Sequence, residues 1–161
     1  MRRALPDCRQ YSLIRLGWFS RLWNVKLFGY FLLGIAMTNI WKERPEAHDF
    51  PAALDYLTLL MEEKAAKKLV ARLRKAPTIH KKAKDLLRAS RLTVLPRDNL
   101  HVAGDLKKIK KGKAMSPVLL VRGNAMRDLP LVVADGYHRI CASWYRDENI
   151  PIACRIVSPE N

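Results

Sequence analysis

The stretch LVVADGYHRICA at residues 131–142 decides the fold of this chain. Its apolar start predicts a strand over 131–134, the Asp-Gly pair predicts a turn, and the rest predicts a helix over 137–146. The first amides of a helix lack internal acceptors and, together with the helix dipole, attract anions. Gly136 lets the backbone approach a ligand closely, and Arg139 can add a charge-assisted contact. The stretch therefore predicts a phosphate site where the strand meets the helix.

Two side chains at this turn are the candidate catalytic residues. His138 can donate to phosphate or act as an acid or base near neutral pH, although a lone histidine more often bonds the backbone of the turn. Asp135 either caps the helix or helps to hold a metal ion that accompanies a nucleotide. For Arg139, the alternative to phosphate binding is exposure to solvent or pairing with Asp147 or Glu148.

The order of strand, Asp-Gly-X-His-Arg and helix resembles the ParB/sulfiredoxin-like superfamily, whose members share a Gly-X-X-Arg element at a nucleotide phosphate site. Residues 92–96 resemble the opening strand of that family, and residues 105–111 resemble its short helix. Residues 112–121 resemble its step from glycine through proline to an apolar strand, so the resemblance covers roughly residues 90–157. It implies a nucleotide or phosphate site, with a nucleoside triphosphate and magnesium as the candidate cofactor, formed by Ser116, Gly136, Tyr137, His138 and Arg139.

Departures from the family pattern narrow the activity that the resemblance implies. Tyr137 stands where sulfiredoxins carry their reactive cysteine, and a phenol with a pKa near ~10 does not replace a low-pKa thiolate. Partitioning ParB proteins usually show Gly-Glu-Arg-Arg at this point and continue into a helix-turn-helix module and a dimerisation segment. Only 15 residues follow Arg146, so a partitioning clamp is not expected. Nucleotide hydrolysis and phosphoryl transfer are the candidate activities that remain.

Positive charge is concentrated in one part of the chain. Lys and Arg number 30 against 15 Asp and Glu, and residues 64–113 alone hold 17 basic and three acidic residues, a net charge of +14. A field of this sign attracts polyanions and phosphorylated small molecules. The alternative function is therefore a DNA- or RNA-binding module, or a ParB-like nuclease with a carboxylate-bound metal. A solvated basic surface and an interaction domain without chemistry are the simpler alternatives.

We expect a doubtful leader over residues 1–36, a basic helical region over 37–91 and a ParB/sulfiredoxin-like domain over 92–161. Basic and aromatic residues in the leader suit a membrane-associating segment or a signal peptide. Its apolar run at 27–37 is too short for a stable transmembrane span. We favour the interpretation that the gene model is too long at its start and that translation begins at Met37, because the composition changes abruptly there.

Periodicity and turn residues predict an α+β fold, in which an N-terminal helical hairpin precedes a small mixed sheet with helices. The first helix begins at Asp49 and ends before Pro77, and the second runs from Thr78 to about Ala89. The following strands are expected over 92–95, 118–121, 131–134 and 152–157, with helices over 103–111 and 137–146. The two middle strands are expected to pair as a hairpin.

The remaining cysteines and polar residues bear on disulfides, metal binding and a catalytic base. Cys8, Cys141 and Cys154 lack CxxC spacing, so neither a disulfide framework nor a structural metal is expected. Cys141 and Cys154 are expected to be buried in a reducing, cytoplasmic compartment. The resemblance places one further polar loop beside the nucleotide, where a carboxylate is a candidate base, formed by Asp98, Asn99, His101 and Asp105.

Overall fold

The computed structural model describes residues 40–159, which form a four-stranded sheet with helices on both faces. This mixture of helices and strands confirms the α+β class. The helices of the described part are α1 (Asp49–Thr58), α2 (Glu63–Lys75), α3 (Ala83–Ser90), α4 (Leu100–Lys110) and α5 (Tyr137–Arg146). The strands are β1 (Ile79–Lys82), β2 (Val118–Val121), β3 (Val132–Asp135) and β4 (Pro151–Val157), and a 3-10 turn spans Ala125–Arg127.

The strand order of the sheet is β1-β4-β2-β3. The pair β4 and β2 is parallel, whereas the outer pairs β1 with β4 and β2 with β3 are antiparallel. The predicted hairpin of β2 and β3 is confirmed, with a register shift between Leu119 and Leu120 that leaves Leu119 opposite Asp135. Every residue of β2 is buried, because helices cover both faces of this strand.

Alternation along β2 divides the interior into two cores. Val118 and Leu120 point to one face, and Leu119 and Val121 point to the other. The first face packs against α3, α4 and α5 through residues that include Leu86, Val102 and Ile140. The second face packs against α1 and α2 through residues that include Leu57, Leu69 and Leu73. The sheet is therefore the middle of three layers.

The helix predicted from Asp49 to before Pro77 is broken in two. Residues 59–62 interrupt it, and α1 and α2 lie side by side on the same core. A continuous helix over this range would be about 40 Å long, whereas the longest strand spans about 23 Å. Breaking the helix lets Leu57 and Leu73 both reach the sheet, so tertiary packing overrides the local periodicity.

Two further predictions in this region are wrong. Residues 79–82 form β1 rather than the start of a helix, because they pair with β4, where Ile79 lies opposite Cys154. Residues 92–96 form no strand, because this segment lies against α5, where the carbonyl oxygens of Thr93 and Leu95 accept from the hydroxyls of Tyr137 and Tyr145. Val94 and Leu95 still pack against the first core.

The other elements follow the sequence closely. Helix α5 has the predicted bounds, while α4 begins three residues earlier than expected, at Leu100. Cys141 and Cys154 are free and buried as predicted, and burial raises the pKa of Cys154 to about 11. Across residues 40–159, no helix is both long and apolar enough to cross a bilayer. The predictions for residues 1–36 and for Cys8 lie outside the described residues.

Candidate functional site

A cavity of about 570 Å³ opens where β3 passes into α5. Its walls come from the chain before β2, the end of β3, the first turn of α5, one side of α4 and the segment that leads into α1. This volume lies within the range of small-ligand sites. The lining includes Lys42, Glu46, His48, Asp49, His101, Asp105, Lys108, Lys113, Ser116, Asp135, Gly136, His138 and Arg139.

Gly136 is the N-cap residue of α5 and has a φ of +100°. A Cβ at this position would lie 2.5 Å from Cγ1 of Val118, so both the backbone angle and the space require glycine. No side chain caps the helix, and of the two alternatives for Asp135 the cap is wrong, because its carboxylate accepts from Arg139 instead. The first amides of α5 have no intrahelical acceptors. These amides follow directly after Gly136, which lines the cavity.

The guanidinium of Arg139 is held by groups of the protein itself. Its Nη1 donates to the carbonyl oxygen of Ser116 at 2.8 Å, and its Nη2 pairs with Asp135 and lies 3.3 Å from Oδ1 of Asp49. The side chain is only 12% exposed. Pairing with Asp147 or Glu148 is thus excluded, and the direct contact to phosphate stays a prediction. Arg139 therefore bridges the carboxylates of Asp49 and Asp135, and we call these three side chains the clamp.

Asp49 is one of the site residues that sequence reasoning missed, because an Asp at the start of a helix usually indicates a cap. The N-cap is instead His48, and the carboxylate of Asp49 turns inward. It accepts from the amide of Glu46 at 2.7 Å and from the hydroxyl of Ser116. Ser116, a predicted binding residue, is buried in the wall, and its hydroxyl also accepts from the Glu46 amide at 3.0 Å.

Asp135 has an unusual electrostatic environment for a carboxylate. Burial raises its pKa above the ordinary value, and the nearby charge of Asp49 acts in the same direction. The positive charge of Arg139 opposes both effects without reversing them. Two carboxylates that share one guanidinium hold protons more tightly than a carboxylate with its own cation. Asp135 is therefore a better proton acceptor than an exposed aspartate.

Two imidazoles face one another on another wall of the cavity. The ring centroids of His101 and His138 lie 4.7 Å apart. Burial lowers the pKa of His138, and the neighbouring His101 and Arg139 lower it further, while Asp105 raises it. His138 is consequently neutral near pH 7, when an imidazole offers one donor and one acceptor.

Among the described lysine and arginine side chains of the cavity, Lys113 is the one without an acidic partner. Lys42 pairs with Glu46, and Lys108 lies 2.8 Å from the carboxylate of Asp105. Lys113 is exposed and makes no ion pair within residues 40–159. Lys113 and the start of α5 therefore remain available to an anion.

The remaining predicted residues divide between the cavity and its surroundings. The hydroxyl of Tyr137 donates to the carbonyl of Thr93, and its ring packs against the first core, outside the cavity lining. Asn99 caps α4 by accepting from the amides of His101 at 3.1 Å and Val102 at 3.3 Å. Asp98 does not line the cavity, whereas His101 and Asp105 do. Across residues 40–159, no cluster of three or more His, Cys, Asp or Glu residues could hold a metal ion.

Comparison with known proteins gives no match to this chain among family models, curated proteins or solved structures. The resemblance to the ParB/sulfiredoxin-like superfamily therefore stays a prediction. Any function for the chain has to be inferred from the chemistry of the cavity, whose lining includes Gly136, His138 and Arg139.

Proposed function

We propose that this chain binds a phosphorylated small molecule, with a nucleotide as the favoured class, in the cavity at the start of α5. The observation that carries the proposal is that Gly136, His138 and Arg139, the first residues of an uncapped helix, form part of the cavity wall. Such a helix start offers unpaired amides and the positive end of a dipole to a phosphate oxygen.

The cavity supplies further groups suited to phosphate. Lys113 adds an exposed positive charge, and the imidazoles of His138 and His101 add hydrogen-bond donors. Arg139 acts as a positioning residue, because its contacts fix Asp135 and Ser116 on the wall next to Gly136. At about 570 Å³ the cavity is much larger than a single phosphate ion, and this size favours a nucleotide.

Calorimetric titration with a nucleoside triphosphate and magnesium tests the proposal. Lys113→Gln removes the uncommitted charge and should weaken binding about tenfold, the effect of losing one charge-assisted contact. Lys111→Gln is the matched control, since Lys111 is also exposed but lies outside the cavity lining. Absence of binding to the wild-type chain, or equal weakening in both variants, would contradict the proposal.

Substitution of Arg139 does not test phosphate binding cleanly. Arg139→Ala leaves the carboxylates of Asp49 and Asp135 without their cation inside the wall, which destabilises the site whether or not a ligand is bound. Loss of binding in this variant would therefore have two explanations, and Lys113 is the better position to substitute.

Hydrolysis or phosphoryl transfer would require a base beside the bound phosphate, and we propose Asp135 for this role. Its raised pKa and its place in the wall support the assignment. Release of phosphate from a nucleoside triphosphate should then be lost in Asp135→Asn while the nucleotide still binds. Unchanged turnover in that variant would exclude Asp135 as the base.

Nucleic-acid binding is the second candidate function, and the exposure of the basic segment favours it. Of its 17 basic residues, all except Arg72 and Lys84 are exposed. A nucleic-acid binder should lose affinity steeply with salt, because cations on the protein release counter-ions from the phosphates. Its affinity should also survive Lys113→Gln nearly unchanged, in contrast to the binding of a nucleotide.

A further inference from the structure

Arg155 is a buried cation without a carboxylate partner, on the face of the sheet that α1 and α2 cover. The residue is 8% exposed, yet it forms no ion pair within residues 40–159. Its Nη1 donates to the carbonyls of Leu73 at 3.2 Å and Arg74 at 2.7 Å, and its Nε donates to the hydroxyl of Thr78 at 3.4 Å. A buried charge that lacks a counter-ion is costly.

The end of α2 compensates for only part of this charge. The carbonyls that accept from Nη1 belong to the last turn of α2, whose dipole contributes about half a negative charge. In the part of the chain that the structure describes, Nη2 of Arg155 makes no hydrogen bond and is open to solvent, since no fully buried side-chain nitrogen there lacks a partner. Burial and the nearby charge of Arg44 both lower the pKa of Arg155, so its surroundings disfavour the cation. One edge of the guanidinium is therefore left for an anion.

A cleft of about 380 Å³ lies beside Arg155 and is strongly cationic. Arg44, Arg74 and Lys75 line it together with Phe50, and none of the described residues in its lining is acidic. Arg74 lies over the Phe50 ring, 4.2 Å from its centroid. Arg44 and Lys75 are exposed, and neither forms an ion pair with another described residue. Four cations converge here without an anion.

We propose that this cleft is a second anion site, which binds a phosphate group of a phosphorylated small molecule or of a nucleic-acid strand. Arg155 is held in a fixed orientation by three hydrogen bonds and presents a planar donor edge, which is the geometry that suits phosphate. Arg44 and Lys75 add exposed positive charge to the lining of the cleft. The volume is near the lower end for ligand sites, so the cleft holds a phosphate or pyrophosphate group rather than a whole nucleotide.

The second site is separate from the cavity at α5, because the two linings share no residue. A site-resolved measurement is therefore needed, and nuclear magnetic resonance provides it. Inorganic pyrophosphate is titrated into the full chain while the Nε–H signal of Arg155 and the amide signal of Gly136 are followed as separate reporters. A short single-stranded oligonucleotide is titrated in a second experiment with the same reporters.

The double variant Arg44→Gln, Lys75→Gln should weaken binding at least tenfold at the Arg155 reporter and leave the Gly136 reporter unchanged. Both side chains are exposed and make no bonds that the fold needs. Lys110→Gln, Lys111→Gln is the control, because it removes the same charge from the exposed end of α4 and should change neither reporter.

The pattern of responses identifies the source of the phosphate. A response to pyrophosphate alone supports a small phosphorylated ligand, and a response to the oligonucleotide alone supports a nucleic-acid strand. In the second case the salt slope should fall in magnitude by about 1.4 in the double variant, which has two fewer phosphate contacts. An Arg155 signal that responds to neither probe, or that weakens equally in both double variants, would overturn the proposal.

Discussion

At the scale of single residues, the candidate site depends on a glycine that no other residue can replace. Gly136 combines a φ of +100° with a Cβ direction that points into the buried side chain of Val118. The sequence indicated this requirement, because an Asp-Gly pair between an apolar strand and a helix is typical of a tight turn. It could not indicate that Val118 would fill the space beside the glycine.

Gly136→Ala should lower the free energy of unfolding by about 2–5 kcal/mol. The left-handed backbone angle costs ~1–2 kcal/mol for a residue with a Cβ. Overpacking against Val118 costs a further ~1–3 kcal/mol. Urea denaturation measures the change, and Gly104→Ala is the control, since a Cβ at Gly104 meets nothing within 4 Å. A loss of stability no larger than in the control would show that the turn tolerates a side chain.

His138 should take up a proton when an anion binds. In the free chain burial and neighbouring positive charges lower its pKa below 6.5, so the imidazole is neutral near pH 7. A bound phosphate favours the charged imidazole and raises that pKa, and binding should therefore strengthen as the pH falls from about 8 to about 6. Calorimetry in two buffers of different ionisation enthalpy measures the proton uptake, which His138→Gln should abolish. Uptake that persists in the variant would assign the proton to another group.

At the scale of elements, local patterns predicted the segments that lie close together in sequence. The segment from β3 to α5 carries its strand, turn and helix signals within fifteen residues, and β2 has a continuous apolar run. In contrast, β1 has the sequence IHKK, which lacks alternation and is exposed throughout. It is a strand only because β4 offers an unpaired edge, and this information lies about seventy residues further along the chain.

Helix α4 positions one wall of the cavity and depends on its N-cap. Asn99→Ala should lower stability by about 1 kcal/mol and weaken nucleotide binding, because the first turn of α4 carries His101 into the lining. Asn99→Asp should restore both properties. Asn124→Ala provides the comparison, since Asn124 caps the short turn at Ala125–Arg127, outside the cavity lining. Thermal unfolding and calorimetry measure the two effects, and equal loss of binding in both alanine variants would contradict this role for α4.

At the scale of the whole molecule, the clamp around Arg139 joins the two helical layers at one end of the sheet. Arg139 belongs to α5 on the first face, and Asp49 belongs to α1 on the second face. These residues are 90 positions apart in sequence, so no local pattern could pair them. For the same reason Lys42, which lies 97 positions before Arg139, was not predicted as a member of the site, whereas Gly136, His138 and Arg139 were.

Removing the charge of Asp49 should therefore destabilise the whole described region. Asp49→Asn keeps the size of the side chain but leaves Arg139 with one carboxylate, and the free energy of unfolding should fall by about 2 kcal/mol. This is less than the ~3–5 kcal/mol for a fully broken buried pair, because Asp135 remains. Asp55→Asn, on the exposed side of the same helix, should change stability by less than ~0.5 kcal/mol. Urea denaturation measures both changes. Equal losses of stability in Asp49→Asn and Asp55→Asn would show that the clamp does not link the two helical layers.

The most direct test of the phosphate site is to follow the backbone amides at the start of α5 by nuclear magnetic resonance during titration with a nucleoside triphosphate and magnesium. The proposal predicts saturable shifts of the amide signals from Gly136 to Arg139, together with the ring signals of His101 and His138. Lys113→Gln should move the midpoint of these shifts to about tenfold higher concentration. Shifts confined to exposed lysines, or amide signals at residues 136–139 that stay unchanged up to saturation elsewhere, would contradict it.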